Sequence, residues 1–264
     1  MTKAVLGVMG GWALAVALAF GVVLSMGMGT AGLAEAYESG PVANGGAVQG
    51  MVIFKGTPPP PKVFDLSRFP DKMFCGGVSD AQGDRLLREV IAGQEGGLKD
   101  VVVVIEGVSQ GKPFTFESAK MEANICQFLP FVSVVSDKRQ IIVANRDPVS
   151  HDIQGYAYDQ HGVDIVLHRA ALDKRGTTDV VNLTKGRKVF TMQCGRHPYM
   201  QSWGYAIENP YHAVTNLDGA FTIGDLPAGT YRVKAWHPIL GSQEQTVTVT
   251  ASGTAPLSFT FEYR

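Results

Sequence analysis

The chain has 264 residues, 45% hydrophobic and 18% charged, with 23 basic and 24 acidic side chains for a net charge of −1. That balance excludes the electrostatic footprint of a nucleic-acid binder or of a protein held on an anionic membrane surface. Thirty-one Gly and 14 Pro, spread among short Val, Ile, Thr and Phe runs, point to a turn-rich, all-β protein of one large domain or two smaller ones.

The first 36 residues form a separate segment. Lys3 is the only charged side chain before Glu35, Ala4 to Met28 is uncharged and mostly apolar, and Ala34 and Ala36 stand at the −3 and −1 positions of a signal-peptidase site. We expect an export signal cleaved after Ala36. The alternative is an uncleaved membrane anchor, since a bilayer span needs about 20 apolar residues. Either way the rest of the chain is expected in the periplasm or outside the cell. In that oxidising setting two of the three cysteines should pair. Cys75 in "MFCGG" and Cys126 in "NICQF" are the expected disulfide, which leaves Cys194 as a free thiol that metal ligation would explain.

After a Gly-rich lead-in, "VQGMVIFKG" reads as a strand and Pro58 to Pro61 as a stiff connector or edge cover. "LLREVIAG" and "DVVVVIEG" read as strands, the second continuously apolar from Val101 to Ile105 and therefore central. "FVSVVSD" and "RQIIVANRD" suggest a hairpin across Asp137-Lys138, followed by strands at "DVVNL", "KVFTMQC" and "WGYAIE". Alternation in "KVFTMQC" puts Phe190, Met192 and Cys194 on one inward face, with Cys194 where strand gives way to loop. Roughly nine or ten such strands and no convincing amphipathic helix predict a Greek-key sandwich over 45–210. From about 211 to 264 the pattern changes. "TNLDGAFTIGDLPAGTYRVKAWH", "QTVTVTAS" and "LSFTFEY" alternate apolar and polar positions, as expected of a second, smaller β-sandwich.

"QCGRHPYMQSW" sets Cys194, His197 and Met200 three residues apart, and "VANRDPVSHDIQG" places His151 in the loop after an apolar strand. Two imidazoles and one thiolate in a plane, with a long thioether bond on the axis, describe a type 1 copper site. We therefore expect one copper held by His151, Cys194, His197 and Met200. Zinc is the weaker fit, because a thioether suits copper better. No catalytic group is expected. The six histidines contain no H-x-H pair of the kind that copper oxidases and nitrite reductases add, and no nucleophile–base arrangement or phosphate loop is evident.

The stretch C-G-R-H-P-Y-M resembles the ligand loop of cupredoxins, most closely the C-x-x-H-P-x-M loop of amicyanin, and N-R-D-P-V-S-H looks like their first-histidine loop. Across 45–264 the chain resembles bacterial methylamine-utilisation-type proteins. These join a plastocyanin/amicyanin-like domain to a carboxypeptidase-regulatory-like (transthyretin-like) domain, which "NPYHAVTNLDGAFTIGDLPAGTYRVKAWHPILG" carries here. The resemblance implies an exported electron carrier, or a copper subunit of a redox complex, serving a protein partner such as a cytochrome c or dehydrogenase. Copper storage or delivery, and a metal-free structural or binding role, are the alternatives. It also implies that His197 reaches the surface through an apolar patch, here Pro198, Tyr199 and Trp203, and that Asn145 braces the His151 loop. One departure is Asp152, where cupredoxins carry an Asn whose amide ties the two ligand loops. A second is the longer N-terminal part with Cys75 and Cys126, expected as an extra layer. His237 is read as a packed histidine; His161, His168 and His212 are read as solvated.

Overall fold

In Val189–Cys194 the inward positions Phe190, Met192 and Cys194 are buried, and in Gln140–Asn145 Ile141 and Val143 are. Each strand lays one apolar face on a common core, and that requirement builds the first sandwich. The computed structural model describes residues 37–116, 118–136, 140–159, 162–183 and 186–263; the expected leader, 1–36, lies outside them.

One sheet of the first sandwich has the order Gly162–Leu172, His151–Asp159, Val189–Cys194, Gln201–Ala206, Val132–Val135. The facing sheet runs Thr178–Asn182, Gln140–Asn145, Ala119–Ala123, Phe128–Leu129. Their inner faces meet in a core that includes Met121, Ile141, Val143, Ile153, Phe190 and Met192. The hairpin expected across Asp137-Lys138 does not form. Val132–Val135 pairs in parallel with Gln201–Ala206, whereas Gln140–Asn145 pairs with Ala119–Ala123 and Thr178–Asn182 in the opposite sheet. Consecutive strands are neighbours only about two-thirds of the time, and these two belong to different sheets; Asp137 and Lys138 themselves lie outside the described residues.

The second sandwich is all-β, as expected, but its membership departs from a boundary at 210/211. Its three-stranded sheet has Gly46–Lys55 in the middle, antiparallel to Ala220–Leu226 and parallel to Thr254–Glu262. Its four-stranded sheet takes Val102–Glu106 as an inner strand between His212–Val214 and Gly229–His237, with Gly241–Val249 at the edge. Val48, Val52, Val103 and Ile105 therefore share a core with Ile223, Val233, Phe259 and Phe261. The reason is positional: without Gly46–Lys55 the strands on either side of it have no neighbour to bond. The first sandwich is thus inserted between strands of the second. Trp236, Val102 and Val104 pack against Tyr205, Ile207 and Val132 at the seam.

A third piece, a cap, lies between these strands in sequence. Lys62–Asp65 pairs with Asp84–Leu87, and the one-turn helix Lys72–Cys75 sits between them, flanked by single 3-10 turns. Only the start of "LLREVIAG" is strand; Ala92 makes an isolated bridge to Leu98. Cys75 and Cys126 form a disulfide that ties the cap to the first sandwich.

Candidate metal centre

Cys194 is the last residue of Val189–Cys194, and His151 is the first of His151–Asp159. These strands are neighbours, with Ile153 opposite Cys194, so the pairing brings the two residues to the same end of the sandwich. The following turn then folds back. Met200 N–H donates to the His197 carbonyl (2.8 Å), and Cys194 N–H donates to the Met200 carbonyl (3.2 Å). This closed loop turns His197 inward and leaves Met200 buried beside it in sequence.

His151 Nδ1 lies 3.9 Å and His197 Nδ1 3.5 Å from Cys194 Sγ, and the donor atoms of the three residues all lie within 4.8 Å of one another. A first-row ion with a metal–sulfur bond of about 2.3 Å and a metal–nitrogen bond of about 2.0 Å, at trigonal angles, sets N and S about 3.7 Å apart. The observed separations bracket that figure, so the residues fit a metal at their centre. All three side chains are buried, and Cys194 is the free cysteine.

The electrostatics suit a metal better than a proton. Burial lowers the basicity of both imidazoles, which keeps their nitrogen lone pairs free. Burial also pushes the Cys194 thiol up, against hydrogen bonds from the backbone N–H groups of Arg196, His197 and Asp152. A cation between the rings would offset that desolvation and hold the thiolate. The main chain also resolves the Asp152 question: Gly195 N–H donates to the Asp152 carbonyl (3.2 Å), so backbone links the two ligand loops where an amide was expected. An added Cβ on Gly195 would meet Gln154 Nε2 at 2.6 Å, so a larger residue there requires the Gln154 side chain to move aside.

Behind the candidate ligands stands a polar support. Asn145 is buried; its Nδ2 donates to the carbonyls of Val149 and Leu172, both at 2.8 Å, and its Oδ1 accepts from Asp147 N–H at 2.8 Å. This is the brace expected of it. Asp147, which the sequence reading did not single out, is equally important. Its carboxylate accepts from Ile125 N–H (2.6 Å) and Cys126 N–H (2.8 Å), and its Oδ2 lies 2.9 Å from His151 Nε2. With Nε2–H on that carboxylate, Nδ1 is the nitrogen left to face Cys194. The available signal was an acidic residue four positions before the histidine.

Three expectations fail. His197 does not reach the surface: it is 0% exposed, with Nε2 3.8 Å from Cys75 Sγ and 3.4 Å from Asp71 Oδ2 of the cap. Nor do the three proposed residues form an apolar patch around it. Tyr199 is buried against Phe64 and Phe69, Pro198 is exposed, and Trp203 packs on Trp236 at the seam between the sandwiches. The cap occupies the place of the expected patch. His237 is buried and belongs to none of the metal-capable clusters among the described residues. His212 is half-buried against Phe116 rather than solvated. His161 lies outside the described residues, and His168 falls on the edge strand Gly162–Leu172.

Residues 206–262 match the family model of the carboxypeptidase regulatory-like domain. No curated protein matches the chain. Among solved structures, the chain is similar to a purple cupredoxin from Nitrosopumilus maritimus, with 16% identity, TM-score 0.28, and coverage of 34% of this chain and 99% of that one. It is also similar to amicyanin from Paracoccus versutus, with 11% identity, TM-score 0.29, and coverage of 40% and 97%. A copper-containing nitrite reductase from Thermus scotoductus SA-01 is similar at 17% identity and TM-score 0.29; the match covers 37% of this chain and 24% of that enzyme.

Proposed function

We propose that this is an exported, non-enzymatic copper protein that carries single electrons between periplasmic redox partners or within a redox complex, of the methylamine-utilisation type. One observation carries the reading: two Nδ1 atoms and one unpaired thiol, all buried, converge at ligand-to-ligand distances. His151, Cys194 and His197 would hold the metal, with the Met200 thioether as a fourth, soft ligand that favours copper. Copper bound there supplies a one-electron couple. The protein's part is to fix the ring orientations through Asp147 and the closed Cys194–Met200 loop, and to exclude water. Both constraints keep the ligands from rearranging on gain or loss of an electron. The partner is a protein such as a cytochrome c or dehydrogenase.

Copper storage or delivery is the second reading, and the burial of His197 favours it. The ring edge that would serve fast electron exchange is covered by the cap. Electron self-exchange measured against copper transfer to a metal-free acceptor separates the two.

The test is the visible absorption and metal content of the purified, oxidised protein. We expect one copper per chain and an intense thiolate-to-Cu(II) band that Cys194→Ser abolishes. A copper-loaded wild type without the band, or a chain that takes up no copper, would overturn the type 1 assignment.

A further inference from the structure

The disulfide sits in an unexpected place. Cys75 Sγ lies 3.8 Å from His197 Nε2, on the ring edge that faces away from Cys194. Cys126 Sγ lies within 4.8 Å of both a His151 ring nitrogen and an Asp147 carboxylate oxygen. Each sulfur therefore backs one of the two imidazoles. The Cys126 backbone hangs on Asp147, the same carboxylate that holds His151. Phe64 and Phe69 of the cap close the remaining gap against Tyr199 in the ligand loop.

Besides the disulfide, the cap is held by modest non-covalent packing: Phe64, Phe69, Phe74 and Val78 lie half-buried against the core of the first sandwich, and Arg196 pairs with Asp71 at 3.7 Å. Its hairpin has four residue pairs and its helix is a single turn. Its buried apolar residues are Leu66, Cys75 and Leu87, while Met73, next but one to Cys75, is 92% exposed. Two-stranded hairpins and one-turn helices are marginal alone, so the covalent tie is the one constraint on this element that local opening cannot break.

Resting on the copper reading, we infer that the Cys75–Cys126 disulfide is a redox latch on the metal centre. Oxidised, it closes the cap over His197 and holds the metal in. Reduced, it frees the cap and lets metal enter or leave past His197. The reductant is a dithiol: it passes two electrons and two protons to the S–S bond, leaves as its own disulfide, and Cys75 and Cys126 become thiols.

The test compares wild type with Cys75→Ser/Cys126→Ser in two measurements. The first uses metal-free protein and follows carbethoxylation of His197 by diethyl pyrocarbonate, located by mass spectrometry. The second loads copper and follows Cu(I) loss to excess chromogenic chelator. The latch predicts that both rates rise by at least about tenfold in the variant, as expected when a local closure is removed. Equal His197 labelling overturns it. Faster labelling with unchanged copper loss overturns it as a control on metal exchange. No copper uptake by either protein, with labelling still latch-dependent, refutes the copper reading and leaves the cover over His197 supported. Should the double variant fail to fold by circular dichroism, wild type reduced by a phosphine gives the same readings, and its labelling decides.

Discussion

Asp147 gives one carboxylate to two backbone N–H groups and one imidazole, and it is almost wholly buried while doing so. A buried carboxylate is tolerable only when its lone pairs are so occupied. Outer partners of this kind set the ligand tautomer, and their loss typically costs 10- to 100-fold in metal affinity, about the range we expect for Asp147→Asn in a chelator competition titration. The amide cannot accept at both oxygen positions, so chemical unfolding of the metal-free variant should also show a loss of about 1–3 kcal/mol. The residue was hard to anticipate because an Asp before Pro148 reads as a solvated turn. Its partners, Ile125 and Cys126, come from a turn about twenty positions away that only the fold delivers. Asn145 was easier, since two of its three bonds, to the Val149 carbonyl and from Asp147 N–H, close locally on its own loop; only the bond to the Leu172 carbonyl needs the fold.

At the level of elements, alternation located the strands well and their partners poorly. Phe190, Met192 and Cys194 share the inward face that the sequence pattern demanded. Nothing in "VQGMVIFKG", however, states that it lies parallel to a strand some two hundred residues later, from Ala47 opposite Thr254 to Lys55 opposite Glu262. The approach is close enough that a Cβ on Gly50 would meet the Leu257 carbonyl oxygen at 1.5 Å. A fragment limited to residues 206–264 therefore lacks the middle strand of one sheet and an inner strand of the other. We expect it to give a disordered circular dichroism spectrum and undispersed amide resonances; a folded fragment would refute this account of the second sandwich.

Across the whole molecule, stability should weaken in mild acid through a histidine that is not part of the candidate metal centre. His237 is wholly buried, its Nδ1 accepts the N–H groups of Ile239 (3.2 Å) and Leu240 (3.3 Å), and burial lowers its pKa from 6.5 to about 4. The unfolded chain therefore binds a proton that the folded one refuses between those values. Stability is complete above about pH 6.5 and falls as the pH drops toward 4, by about 2 kcal/mol between pH 7 and pH 5. Guanidinium unfolding at the two pH values should register that loss in wild type. The loss should shrink in His237→Asn, which keeps an acceptor for the two N–H groups and does not titrate.

The signals that could be read in one dimension were local ones: period-two alternation, cysteine parity, and a Cys–His–Met spacing of three that one loop must satisfy by itself. From these came the all-β class, the Cys75–Cys126 pairing and the identity of the candidate ligands. Sheet partners, the insertion of one sandwich between strands of the other, and the cap over His197 depend on contacts between distant segments, whose apolar faces fit many neighbours equally well by composition. Packing alone chose among them. That choice turned the expected outlet of the candidate metal centre into its closed wall.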